Sequence, residues 1–468
     1  MSTLPFDPSE VLPPVFKDSD LGQLASGHNV AQFVSFDPEL RQRHLRLKGY
    51  ADDHVFRDCL EACEAVRSMS HSGQVNVRSF KADVPSGNPF IYGISTARGA
   101  KHALQELAAS GYYTIVNETI DIEDGGVSGV LVGECLEFAP KETPRCVEGK
   151  GIARLPTGKG LKLLETVYGF APKLQFGPGS RVEFSVHPQR QGLRDEHTVV
   201  WEVQQRLGSG RMADVRWPNP FSRFIGDKAY GLLVAHTFGL PVPRTTVISR
   251  SLAPFSFGEP TGCFEKWLRT CPAERIPGKL PTYFGWRDPT PLFDDREVVS
   301  VLSQDSVDPA FSGAASVGAT GWVRIEGVEG AGNMYMLGRV APMAALPEHV
   351  EFSVRNLVGR IPLELGSVEF EWVYDGRRAW IVQLRSNASN SRAKITAQED
   401  RQYVRFDVSE GLDALRKLAG SLSGGNVGVV LVGNVGLNSH MAQVLLDERI
   451  ASYIESPDRP KQADFEFK

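Results

Sequence analysis

Alternating apolar and polar positions, broken by short turn signals, predict strand pairs in the second half of the chain. The stretch VEFEWVYDGRRAWIVQLR (368–385) has a strand-like run on each side of Asp375-Gly376, a strong hairpin signal. Farther along, the apolar run VGVVLVG (427–433) predicts a strand that ends in a Gly-rich turn. Ser439-His440 follows, and then an apolar-periodic stretch. The pattern therefore predicts a helix that begins at His440 behind a Ser439 cap.

A second helix is predicted where the sequence reads GDK at 226–228. Apolar residues follow at helical spacing, and Gly239 with the prolines after it predicts the end of the helix. A lysine just inside such a helix, here Lys228, can reach a phosphate, and the amides of the helix N-terminus offer a complementary positive end. Most lysines at such positions are solvated surface residues, and that alternative stays open.

Four landmarks recur in the same order along the chain. The stretches VNVRSFKADVPSGNPFIYGI from Val75 and KWLRTCPAERIPGKLPTYFGW from Lys266 both place an Arg in a strand-like run, before a Pro/Gly-rich loop, an aromatic residue and a Gly. Arg78 precedes Gly93 by 15 residues, and Arg269 precedes Gly285 by 16.

The other landmarks extend this correspondence. Residues 114–133 match 299–318, which sets Glu118 against Gln304, and the strand pair at 181–203 matches that at 368–385. The order and spacing predict a tandem duplication of one α+β unit with a period of roughly 190 residues. The alternative is a set of ordinary strand–turn–strand coincidences in a Gly-rich protein.

Composition limits the classes of function. The chain has 468 residues, 41% of them hydrophobic and 23% charged, which is ordinary for globular domains. The net charge of −5 gives no case for binding nucleic acid or an acidic membrane. No apolar run approaches the ~20 residues of a bilayer span, and six cysteines in so long a chain predict no disulfide framework. We therefore expect a cytoplasmic protein of about three domains.

The closing hairpin carries residues suited to a metal and a phosphate. Glu371 and Gln383 are 12 residues apart across the turn, so they can lie side by side on adjacent strands. A carboxylate and an amide oxygen are hard ligands of the kind that Mg²⁺ takes. Arg385 shares the strand face of Gln383 and could hold a phosphate. The alternative is a polar cross-strand ladder on a solvated sheet face.

Taken in order, five pieces resemble the nucleotide-binding domain of pyruvate phosphate dikinase and phosphoenolpyruvate synthase, an ATP-grasp domain that would cover about residues 217–390. The pieces are GDKAYGLL…GLPVP, LRTCP…P…FG, SVLSQDSV…SGA, EGVEGAGNMYMLG and EWVYDGRRAWIVQLR. The resemblance implies that ATP and Mg²⁺ are bound. It assigns contacts with ATP to Lys228, Arg269, Gln304 and Arg385, and ligation of Mg²⁺ to Glu371 and Gln383.

In that family the ATP domain passes phosphate to a histidine on a swivelling domain. VGLNSHMAQVLLDERIASYI is similar to the motif around that histidine, so the resemblance makes His440 the phosphoryl acceptor, catalytic together with Arg269. This chain departs from the family at Leu437, where a Gly is usual, and at Asn438, where a Thr is usual. The alternative is a capping serine followed by an incidental surface histidine.

The first copy resembles the family more weakly. It has the Arg78 loop, the Ser128-Gly129 strand and a hairpin with Glu183 and Glu202, and Lys48 is the nearest candidate for the missing Gly-x-Lys opening. We therefore expect a degenerate, substrate-binding or regulatory copy. The predicted domains are a tail (1–30), a degenerate ATP-grasp-like half (31–210), an ATP-grasp half (211–395) and a small His-bearing α/β module (396–468).

The expected function is an ATP- and Mg²⁺-dependent phosphotransferase of the dikinase type that forms a phosphohistidine at His440. The barrel that completes the dikinases has no counterpart in these 468 residues. The acceptor would therefore be a small molecule, or a partner protein that supplies the missing domain. Two alternatives remain: a carboxylate–amine ligase that works through an acyl phosphate, and a non-catalytic nucleotide-binding protein.

Overall fold

The computed structural model describes residues 16–81, 88–144, 147–149, 151–177, 179–205, 213–273, 282–318, 321–337, 339–386, 402–433 and 435–455. The first 15 residues of the predicted tail lie outside this part, as does nearly all of the Ser/Asn-rich stretch 385–394, for which the sequence predicts a hinge. Within the described part, no helix has both the length and the apolar content needed to cross a bilayer.

Helices and strands alternate irregularly through the first part of the chain. In order they are α1 (Lys17–Gly27), β1 (Phe33–Phe36), β2 (Gln42–Arg46), α2 (Cys59–Met69), β3 (Val75–Phe80), β4 (Phe90–Ile94), α3 (Ala97–Ala109), β5 (Tyr113–Glu118), β6 (Val127–Val132), β7 (Cys135–Pro140), β8 (Ala153–Pro156), α4 (Thr157–Tyr168), β9 (Ser180–Gln191) and β10 (Glu196–Gln205).

The second part repeats most of this order and adds a short C-terminal module. Its elements are α5 (Pro220–Ile225), α6 (Asp227–Thr237), β11 (Thr245–Ser249), β12 (Phe255–Phe257), β13 (Lys266–Pro272), β14 (Thr282–Phe284), β15 (Val298–Asp305), β16 (Phe311–Val317), β17 (Val323–Glu329), α7 (Asn333–Met336), α8 (Glu348–Gly359), β18 (Val368–Tyr374), β19 (Ala379–Ser386), β20 (Gln402–Asp407), α9 (Leu412–Leu422), β21 (Val427–Val432), α10 (His440–Asp447) and β22 (Ser452–Glu455).

The chain divides into two compact units. The first contains residues 1–149 and 172–211, and the second contains 150–171 and 212–468. The C-terminal module therefore groups with the second unit, and so does the segment with β8 and α4. The four segments predicted from the sequence are not tested by this division and remain predictions.

Strand order shows that the two units are copies of one design. The first unit has antiparallel sheets ordered β2-β1-β5-β3-β4 and β10-β9-β6-β7, and the second has β12-β11-β15-β13-β14 and β19-β18-β16-β17. Counted from the start of each copy, and leaving out β8, which groups with the second unit, the strands occupy the same places in the same sequence. The α+β class and the internal duplication predicted from the sequence are confirmed.

A glycine inside one strand of each unit makes room for the same kind of neighbour. A Cβ at Gly129 would lie 2.4 Å from the ring of Phe184, its cross-strand partner, and a Cβ at Gly313 would lie 2.7 Å from the ring of Trp372, its partner. Both aromatic rings are buried. The dipeptide Ser-Gly, at 128–129 and at 312–313, therefore marks a site of aromatic packing in both copies.

The C-terminal module is a small parallel sheet ordered β20-β21-β22, with α9 and α10 in the crossovers. Its core consists of apolar residues from both helices and the strands, among them Leu415, Leu431 and Leu445. Helix α10 follows the carboxyl end of the central strand, β21. In open sheets of this kind ligands bind at the carboxyl ends of the strands, and His440 begins that helix.

Candidate active site

The start of α6 is fixed against β13 by a glycine. Gly226 has φ +91°, and a Cβ there would lie 2.6 Å from the Cβ of Cys271 and 2.9 Å from Oγ of Ser300. Only glycine tolerates both the conformation and the close approach. As a result Lys228 reaches β13, where its Nζ donates to the carbonyl oxygen of Thr270 at 3.3 Å.

Arg269 extends from β13 to the closing hairpin. Its Nη1 donates to the carbonyl oxygen of Val382, in β19, at 3.0 Å. Its Nε is buried and has no hydrogen-bond partner among the residues that the structure describes. A buried donor without a partner is costly, and native structures usually reserve such a group for a ligand or an ordered water.

Glu371, Gln383 and Arg385 meet on the closing hairpin, as the Asp-Gly turn predicts. Glu371 and Gln383 are direct cross-strand partners in β18 and β19. Arg385 Nη2 lies 3.2 Å from Oε1 of Glu371, and the two side chains are 16% and 19% exposed. With its amide oxygen turned towards Arg385, Gln383 accepts hydrogen bonds from the same guanidinium. These three residues form one polar group, in which Gln383 is buried and the other two are partly exposed.

The electrostatics of this cluster favour an anion. Burial alone would raise the pKa of the Glu371 carboxyl, but Arg385, His440, Arg269 and Lys228 together lower it. Burial, helped by the neighbouring cations, lowers the pKa of Lys228 and of Arg269. Within the described part of the chain neither Lys228 nor Arg269 forms an ion pair. Three basic side chains, Lys228, Arg269 and Arg385, thus act on the Glu371 carboxylate.

Gln304 and His440, which the sequence also predicts as site residues, lie outside the closing hairpin. Gln304 is buried on the sheet face that carries Arg269, and its amide donates to Oγ1 of Thr245 at 3.3 Å. His440 opens α10, capped by Ser439, whose side chain accepts from the amide of Ala442 at 3.3 Å. Because His440 lowers the pKa of Glu371, its imidazole lies within electrostatic reach of the cluster.

The first unit repeats the arginine contact. Arg78 Nη1 donates to the carbonyl oxygen of Trp201 at 3.4 Å. Trp201 precedes Glu202, whose partner across the hairpin is Glu183, just as Val382 precedes Gln383, whose partner is Glu371. Equivalent residues of the two copies therefore make the same backbone contact.

Two correspondences expected from the sequence need correction. Lys17 begins the helix that precedes the first sheet and contacts Glu202 at 3.0 Å, so Lys17 rather than Lys48 is the counterpart of Lys228. Lys48 lies 3.6 Å from Asp195 instead. Counted from the strand partners of the two arginines, Asn117 is the counterpart of Gln304, and Glu118 corresponds to Asp305. The number of residues after each arginine gave the wrong correspondence because the two copies have loops of different length.

Charges in the first unit are balanced internally. Glu202 binds both Lys17, at 3.0 Å, and Arg78, at 3.3 Å. Arg181 lies 2.9 Å from Glu183 and 2.9 Å from Glu148. By strand register Arg181 is the counterpart of Glu369, and Gln204 that of Arg385. The two copies thus place polar side chains at equivalent strand positions. In the first copy, however, Lys17, Arg78 and Arg181 each contact a carboxylate.

Glu202→Gln is expected to lower the free energy of unfolding by about 3 kcal/mol at pH 7, the scale for removing one partner of a buried ion pair. Burial would raise the pKa of Glu202, but Arg78 and Lys17 lower it below its ordinary value. The ionised carboxylate therefore stabilises the fold above about pH 4.3, its ordinary pKa. This stabilisation is lost as the pH falls through the lowered value.

Urea denaturation of wild type and variant between pH 7 and pH 3 measures this difference, which should shrink at the acid end. Glu123→Gln serves as the matched control, because Glu123 pairs with Lys141 on the surface, where both side chains are more than half exposed. A Glu202→Gln effect that stays constant down to pH 3 would contradict the assignment.

Sequence reasoning overlooked several residues near the second-unit cluster. Glu369 faces Arg385 across the hairpin and shares a face of β18 with Glu371. Glu326 and the buried Tyr335 contact the turn before His440. Alternation along β18 could have indicated Glu369. The other two come from β17 and α7, and nothing in their local pattern links them to a residue more than a hundred positions away.

Comparisons with known proteins give no family. No family model matches the sequence, and no curated protein matches it. Similar solved structures include an L-amino acid ligase from Bacillus licheniformis, with 12% identity over 36% of this chain and 43% of that one, TM-score 0.24. A D-alanine-D-alanine ligase from Helicobacter pylori shows 10% identity over 36% and 52%, TM-score 0.25.

A third similar structure is the macrocyclase MdnB from Microcystis aeruginosa MRC, with 12% identity over 45% of this chain and 76% of that one, TM-score 0.23. This chain spans about half of the length of the two ligases. At these TM-scores the likeness carries no argument about activity.

Proposed function

We propose that the second unit is an ATP-grasp-like domain that binds Mg-ATP and activates it for phosphoryl transfer. The observation that carries the proposal concerns two basic side chains beside the closing hairpin. Lys228 and Arg269 have no carboxylate partner in the described chain, and the buried Nε of Arg269 has no partner there at all. A polyphosphate supplies the negative charge and acceptor oxygens that these groups require.

The donor set also fits a magnesium ion bound together with a nucleotide. Mg²⁺ is commonly held by one or two carboxylates, with phosphate oxygens and waters completing its shell. The described residues contain no group of three or more acidic, His or Cys side chains placed to hold a metal alone. Glu371 and Gln383 would hold the ion, which would neutralise phosphate charge when bound. Arg385, in contact with both, would pair with the phosphate oxygens.

His440 is the group that we propose receives the phosphoryl group. Its charge acts on Glu371, so the imidazole and the proposed nucleotide site belong to one electrostatic cluster. A neutral imidazole nitrogen is a competent nucleophile, and the start of a helix favours the negative charge that arrives with phosphate. Attack on the β-phosphorus forms an N–P bond and releases AMP. Water then removes the γ-phosphate, and a small molecule or partner protein accepts the remaining group.

The second candidate is a carboxylate–amine ligase. The same basic cluster would transfer the γ-phosphoryl group to a carboxylate, and an amine would then displace phosphate from the acyl phosphate. This route needs no histidine and releases ADP instead of AMP. Two of the similar solved structures are ligases, but their low TM-scores leave the choice to experiment.

Titration calorimetry and product chromatography on the wild-type chain test the proposal. We expect one Mg-ATP site per chain, because the first unit pairs its basic groups internally. AMP and phosphate are the products expected from the phosphohistidine route, and ADP and phosphate would indicate the ligase. Binding without turnover in the presence of candidate acceptors would favour a non-catalytic nucleotide-binding protein, and absence of binding would overturn the proposed site.

A further inference from the structure

The turn that precedes His440 is held against the second sheet of the second unit by polar contacts, most of them partly buried. The carboxylate of Glu326, in β17, accepts hydrogen bonds from two consecutive backbone amides, those of Leu437 at 3.2 Å and Asn438 at 2.9 Å. The hydroxyl of Tyr335, in α7, donates to the same carboxylate at 2.8 Å. One acidic side chain thus connects the sheet to the backbone of the His440 turn.

A glycine makes this approach possible. A Cβ at position 436 would lie 2.6 Å from Cε2 of Tyr335 and 2.9 Å from Oε2 of Glu326. Any larger residue would force the turn away from both groups. Gly436 is therefore required by the contact with β17 and α7 and not by the backbone angles of the turn.

A second contact fixes the side chain of Asn438. The hydroxyl of Ser316, in β16, donates to Oδ1 of Asn438 at 2.7 Å, and both residues are buried. The Nδ2 group of Asn438 has no partner in the described part of the chain. Asn438 is one of the two positions where this sequence departs from the phosphohistidine motif that it resembles, and its side chain here contacts β16.

We propose that Glu326 is a positioning residue that orients His440 towards the nucleotide cluster. It touches none of the groups assigned to the reaction and acts through the amides of Leu437 and Asn438, three and two residues before His440. Charge-assisted hydrogen bonds to consecutive amides fix a turn more firmly than neutral ones. The catalytic consequence rests on the proposed function, whereas the docking itself does not.

Hydrogen exchange on the full-length chain tests the docking. In Glu326→Gln the amides of Leu437 and Asn438 should exchange about tenfold faster or more, the factor for losing one charge-assisted bond. Glu329→Gln is the matched control, because Glu329 lies exposed at the end of the same strand and should leave exchange unchanged. Unchanged exchange in Glu326→Gln would overturn the proposal.

The catalytic consequence has a separate readout. At saturating Mg-ATP, Glu326→Gln should form phosphohistidine about tenfold more slowly, with Kd for Mg-ATP unchanged. Faster exchange with a wild-type rate of labelling would also overturn the positioning role. If wild type itself takes no label, the proposed phosphohistidine route fails, and the exchange result still decides the docking. Should Glu326→Gln fold poorly, Glu326→Asp keeps the charge but shortens the reach, and its exchange should be intermediate.

Discussion

His440→Ala is expected to abolish the label that β-labelled ATP leaves on the protein, while Mg-ATP binding stays within about twofold of wild type. The N–P bond of a phosphohistidine is acid-labile and base-stable, which distinguishes it from phosphoserine and from acyl phosphates. Nucleotide binding should persist because Lys228, Arg269 and Glu371 remain in place. The measurement combines rapid filtration of labelled protein, acid and base treatment, and calorimetry with ATP and Mg²⁺.

His102→Ala provides the control for that substitution. His102 lies on α3 of the first unit, its side chain is 73% exposed, and it should leave both label and binding unchanged. Label that survives His440→Ala would rule out His440 as the residue that receives the phosphoryl group. An unlabelled wild type that nevertheless turns over ATP to ADP and phosphate would place the ligase route first.

Arg269→Ala should weaken Mg-ATP binding by about 1–3 kcal/mol, the range for one charge-assisted contact. Lys228→Ala and Glu371→Ala should have effects of the same size. The matched substitution in the first unit, Arg78→Ala, should leave the affinity unchanged because Arg78 contacts Glu202. Calorimetry measures all four variants, and thermal denaturation checks that each one is folded.

Equal losses from Arg78→Ala and Arg269→Ala would mean that both copies bind nucleotide, and the asymmetry drawn from the charges would be wrong. A binding stoichiometry of two per chain would lead to the same conclusion. If none of the substitutions changes the affinity, the nucleotide binds elsewhere and the cluster has another ligand.

Several features of this protein were determined by the sequence alone. The Asp-Gly turn at 375–376 predicted the hairpin that pairs Glu371 with Gln383, and the structure pairs these residues directly. Ser439 was predicted to cap the helix that His440 begins, and it does. The duplication followed from the order of its landmarks. Turns, caps and alternation depend on residues a few positions apart, so a single sequence records them.

Only the tertiary structure decided which residues of the two copies correspond. The contact of Lys17 with Glu202 replaced Lys48 by Lys17, and strand register set Asn117 against Gln304. Because loop lengths differ between the copies, counting residues along the chain pairs the wrong positions. The hydrogen-bonded register of the strands identifies the equivalent positions directly.

Contacts across long sequence separations were likewise visible only in the folded chain. The ion pair between Arg78 and Glu202 joins residues 124 positions apart, and the bond from Asn438 to Glu326 spans 112. Composition gives the charged fraction of the chain, 23%, but not which charges meet. In the first unit the basic side chains form ion pairs, whereas Lys228 and Arg269 in the second unit form none among the described residues. This difference depends on distances between charges, and only the folded chain sets those distances.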